Sequence, residues 1–196
     1  MQIYFWNCHG GTETQKRNII EFPSVLPCLC GNDTLFLQQI FFMNYTLIIH
    51  SILRWAVVLF GLWSLFNALS GVFSKRTYTA GDKRTGFFFM LSCDIQLLLG
   101  LILYFNGMWF NMLKSNAKEV MKDGVARFFT IEHSLMMIIA WILVHVGYSM
   151  VKRSATDAQK HKRSLIFFGI AILIILAMIP WPFRQPGIGR ELFPQF

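Results

Sequence analysis

Four uninterrupted apolar runs decide what this chain can fold into. They cover about Tyr45–Phe73, Gly86–Phe105, Ala126–Val151 and Ser164–Phe183. A bilayer's hydrocarbon core takes roughly 20 apolar residues to cross as a helix, and each run meets that length. In lipid every backbone amide must find its partner within the segment, so each run reads as an α-helix. Composition agrees: 55% of residues are hydrophobic and 14% charged, whereas a soluble domain carries about 25% charged residues. Sparse charge and long apolar runs exclude a disordered chain as well. The expected fold is all-α, a polytopic membrane protein built as an up-down bundle of four transmembrane helices.

The formal charge is +8, and its placement reads as a topology signal with no call for nucleic acid. Lys75, Arg76, Lys83 and Arg84 lie between the first two runs; Lys152, Arg153, Lys160, Lys162 and Arg163 lie between the last two. Basic loops stay cytoplasmic, which puts both termini outside. The loop between runs two and three balances Lys114, Lys118 and Lys122 against Glu119 and Asp123. Its residues 107–113 read as an interfacial segment, and Lys114–Lys122 as a short surface helix. Tyr45, Trp109 and Trp181 sit where belt aromatics sit.

Residues 1–42 differ from the rest. They hold Cys8, Cys28 and Cys30 but no run of spanning length, and they lack the basic start and small-residue cleavage site of a signal peptide. Cys28-Leu-Cys30 is not the C-x-x-C of a zinc or redox site. Met43 stands where the first helix should begin, so we expect translation to start there, leaving Cys93 as the one cysteine. A translated leader would be poorly ordered outside the membrane. Residues 184–196 read as an outer tail.

Ionisable residues inside a span cost about 2.5–3.5 kcal/mol each and mark function by default. The first run carries His50 and Arg54, an i,i+4 pair on one face. The second carries Asp94 and Gln96; the third carries Glu132, His133 and His145. The fourth carries none before its proline-rich end and reads as a lipid-facing wall. By helical rise His50 and His133 both lie roughly 10 Å below the outer surface, and helices one and three of an up-down bundle are diagonal. Two imidazoles facing across a core at one depth suit the axial ligation of one haem iron. The same histidines could instead serve as hydrogen-bonding links between helices. Arg54 is expected to pair with Asp94 or Glu132. His145 has no imidazole at its level, and His161 is expected to be solvated in its basic loop.

From Met43 onward the chain resembles a family of small four-helix bacterial membrane proteins, common in Bacteroidota and labelled cytochrome b or cytochrome b-like. The carrying segments are His50-Ser-Ile-Leu-Arg-Trp55, Asp94-Ile-Gln-Leu-Leu-Leu-Gly100, Arg127-Phe-Phe-Thr-Ile-Glu-His133 and Ile179-Pro-Trp-Pro182, and the likeness spans residues 43–183. It implies haem b. The resulting expectation is an electron carrier or membrane anchor with at most one haem near the outer face. His50 and His133 would hold the iron, and Arg54, Asp94 and Glu132 would set the charge around it. Expected partners are bilayer lipid, a quinone or respiratory-complex subunits, and further copies of the chain. No phosphate loop, hydrolase triad or metalloprotease spacing calls for bond-making chemistry. The alternative is a cofactor-free scaffold or accessory subunit. A proton-coupled transporter is a third reading, although the chain carries no inverted repeat.

Overall fold

The computed structural model describes residues 32–193. Helix α1 spans Asn32–Ser74 and α2 spans Ala80–Asn106, followed by short helices α3 (Met108–Ser115) and α4 (Ala117–Lys122). The third long element is continuous but mixed: α5 (Gly124–Arg127), a π-helical turn (Phe128–Glu132) and α6 (His133–Lys152). Helix α7 spans Asp157–Met178, and there is no strand among the described residues. Four of these stretches are long and apolar enough to cross a membrane, so the chain is an all-α membrane bundle. The helix expected over Lys114–Lys122 is interrupted at Asn116: Met108–Ser115 forms α3 and Ala117–Lys122 forms α4.

The ends of the long helices differ from the hydropathy reading, and caps explain why. Helix α1 begins at Asn32 and runs through Met43; Cys8, Cys28, Cys30 and the rest of 1–31 lie outside the described residues. Helix α2 starts ahead of its apolar run because Thr79 and Asp82 form a reciprocal capping box, satisfying amides that would otherwise be orphaned. Helix α7 likewise starts at Asp157, where the Thr156 side chain accepts from the Gln159 amide. It stops at Met178, five residues short of the expected end, because Ile179 precedes Pro180 and is extended, with ψ 132°, as a residue before proline prefers to be.

Helix α1 packs on α2 and α7, and α6 packs on the same two neighbours, so α1 and α6 face each other across the diagonal. Phe89, Val144, Phe168, Ala171 and Ile172 fill the centre, with the Phe89 and Phe168 rings edge-on at 5.6 Å. Two glycines let helices approach closely. A Cβ at Gly61 would stand 2.7 Å from Ile172 Cδ1, and one at Gly147 2.5 Å from Phe167 Cβ. Helix α7 is therefore part of the core rather than a wall. Phe66, Leu59, Leu98 and Leu173 point outward, the inverted arrangement that lipid contact allows.

Residues 179–193 do not trail away. The Arg190 amide donates to the Pro180 carbonyl at 3.0 Å, Ile188 is buried, and Phe193 stacks on Trp55 at 5.8 Å. Arg184 and Arg190 each lie 5.0 Å over a ring, Phe128 and Phe129. This segment caps one end of the bundle, here the tail end; the turns at 75–79 and 153–156 mark the opposite, loop end.

Candidate functional site at the tail end

His133 is placed by an irregularity. The chain widens to π-helical hydrogen bonding over Phe128–Glu132, and the His133 amide donates to the Phe128 carbonyl. Such single π-turns cost helical regularity and recur at functional positions. The turn delivers the His133 ring beside Phe128, 5.8 Å between centroids. Its Nδ1 lies 3.0 Å from the Met178 carbonyl, at the end of α7. That contact assigns the proton to Nδ1, since a carbonyl only accepts, and leaves Nε2 with its lone pair.

His50 sits across the diagonal on α1. Its ring lies against α2, where a Cβ at Gly100 would come within 3.3 Å of His50 Cε1. Gln96 holds the backbone beneath it, its Nε2 donating to the His50 carbonyl at 3.0 Å. His50 Nδ1 and Gln96 Oε1 are buried with no partner among the described residues. Buried polar atoms in folded proteins are normally paired. Two orphans in one place therefore mark a spot where the protein has left bonding capacity unused.

The supporting charges distribute differently from expectation. Arg54 pairs with neither Asp94 nor Glu132; its Nη2 donates to the Leu192 carbonyl at 2.8 Å, and Trp55 Nε1 donates to the same oxygen at 3.2 Å. The folded tail thus supplies the acceptor that the sequence reading sought in a carboxylate. Glu132 accepts from Arg127 Nε at 2.7 Å, one turn back on its own helix. Asp94 turns to α6, where Trp141 Nε1 donates to its Oδ1 at 2.6 Å and His145 Nε2 lies 2.7 Å from that oxygen. The structure places His50 and Arg54 on α1 and His133 across the diagonal on α6, and sends Asp94 elsewhere.

At the loop end His161, expected in solvent, is 1% exposed. Helix α7 begins early enough to make it an interior residue. Its ring fills the space over Gly71, where a Cβ would fall 2.1 Å from Nδ1, and it packs 5.2 Å from the Tyr78 ring. Beside it Asp82 accepts from Arg76 Nη1 and Nη2 at 2.7 and 2.6 Å and from the Thr79 amide and hydroxyl, each at 2.8 Å. The Asp82 hydrogen bond raises the Arg76 guanidinium above its usual value, and burial pushes the Tyr78 hydroxyl up to about 12.

Imidazoles on two diagonal helices are of the ligand type that a haem iron takes. A histidine ligand normally donates its other ring nitrogen to a carbonyl, which fixes its tautomer, and His133 does so to Met178. The His50 imidazole is unbonded among the described residues and seated where a glycine admits it. No family model matches the chain, and neither a curated protein nor a solved structure was found to resemble it.

Proposed function

We propose that the protein is an integral membrane, b-type cytochrome-like electron carrier or membrane anchor, with one haem held at the tail end by His50 and His133. The observation that carries this reading is the asymmetry of the two imidazoles. His133 is fixed through Nδ1, while the His50 ring across the diagonal makes no hydrogen bond among the described residues. When bound, haem b would supply one-electron redox chemistry at iron. The chain's own residues would hold it, with Arg54 contributing positive charge and the folded tail excluding water above it. The basic segments at the loop end support a cytoplasmic location for that end and an outer location for the tail, in a bacterial inner membrane. A quinone or respiratory-complex subunits would be the electron partners.

Detergent-purified protein expressed with ample haem should carry a Soret band and a low-spin reduced spectrum. Folded protein that takes up no haem overturns the reading. A cofactor-free scaffold then becomes the better account, favoured by the fully bonded Asp82 cluster that ties α1 to α2.

A further inference from the structure

Asp94 lies at mid-depth, about 18 Å from Asn106 by helical rise, within an apolar span. Together with Trp141 and His145 it makes a polar group on the outer edge between α2 and α6. The side chains of Asp94 and His145 are each 35% exposed. Leu91, Leu98, Ile138 and Ile142 around them point outward as well. Both recorded bonds fall on Asp94 Oδ1. Asp94 Oδ2 and His145 Nδ1 make none among the described residues, and neither is sealed from the surface. Hydrocarbon can bond to neither, and ionisable groups in a span ordinarily face the bundle interior or a partner.

We propose that this edge is an isologous interface with a second copy of the chain. The patch is self-complementary. One proton shared between Asp94 Oδ1 and His145 Nε2 accounts for their 2.7 Å contact and leaves Nδ1–H as a donor and Oδ2 as an acceptor, both facing outward. A two-fold axis beside the pair places each copy's Nδ1–H against the partner's free carboxylate oxygen, so one operation satisfies both groups twice. The resulting ring of two carboxyl groups and two imidazoles alternates acceptor and donor. Hydrogen bonds of this kind join membrane helices, and the four flanking leucines and isoleucines close around them. The outward α7 face at Leu173 offers no such group. This interface is independent of haem binding at the tail end.

Single-molecule subunit counting of the full-length protein in bilayers tests it. Wild type should bleach in two steps at moderate density and dissociate on dilution. Leu98→Trp, which adds bulk beside Asp94 without touching the polar group, should weaken association at least tenfold. Leu173→Trp should leave it unchanged. Asp94→Leu combined with His145→Phe, which removes donor and acceptor together, should weaken it likewise. Single-step bleaching of wild type at every density overturns the proposal. So does equal association of wild type, Leu98→Trp and the double variant. Haem content, read on the same samples, should not follow the oligomeric state.

Discussion

The two ends of the bundle tie their elements together through different acceptors. At the loop end Asp82 collects four short hydrogen bonds from Arg76 and Thr79, and Arg76 Nη2 also donates to the Asn67 carbonyl, joining α1 to the start of α2. At the tail end no carboxylate hydrogen-bonds either imidazole among the described residues. Charged and aromatic donors there are held by the backbone carbonyls of Met178 and Leu192, and polar atoms of His50 and Gln96 stay unused. Buried atoms without a partner among the described residues occur at both ends: Ser64 Oγ and the two His161 ring nitrogens at the loop end, His50 Nδ1, Arg54 Nε and Gln96 Oε1 at the tail end. What differs is the acceptor that ties the elements together, a carboxylate at the loop end and backbone carbonyls at the tail end.

Substitutions should separate the two ends by size of effect. Asp82→Ala should be the most damaging, because it strands the Arg76 guanidinium and removes a capping box; about 2–3 kcal/mol is expected, read as a large fall in the detergent melting temperature. A loss below about 0.5 kcal/mol, no more than an ordinary surface change, would erase the distinction. Gly71→Ala comes next. Its methyl would overlap the His161 ring, and overpacking costs about 1–3 kcal/mol. His161→Ala in the same chain should relieve most of that cost, a coupling that a double-mutant cycle measures directly. Additive losses would show that the ring does not pack there.

Tail-end changes should be small in stability and large in cofactor binding. Gly100→Ala requires the His50 ring to give by a few tenths of an ångström; less than about 1 kcal/mol is expected, with the haem spectrum altered. An unaltered spectrum would detach Gly100 from the site.

Hydropathy and helical rise made the four spans legible, along with the diagonal placement of His50 and His133, because both depend only on period and length. Partners were harder. Counting residues from the loops does not announce that Asp94 and His145 meet, yet they lie 2.7 Å apart. Side chains lean toward a helix's N-terminus; α2 and α6 run in opposite directions, so Asp94 leans toward the loop end and His145 toward the tail end until they meet. His161 was misread because Thr156 and Asp157 start α7 before its apolar run does. Arg54 was misread because its acceptor is a backbone carbonyl of a folded tail, for which side-chain types give no signal. The Thr79-x-x-Asp82 spacing could have announced the early start of α2 as a capping box.

The most direct test of the central claim is the reduced-minus-oxidised spectrum of four purified proteins: wild type and the His50→Ala, His133→Ala and His145→Ala variants. If His50 and His133 hold one haem, the low-spin signal is present in wild type and lost or converted in both tail-end variants. It persists in His145→Ala, whose ring serves Asp94 instead. A low-spin haem retained without His50 or His133, or lost with His145, would contradict the account, as would a folded wild-type protein that binds none.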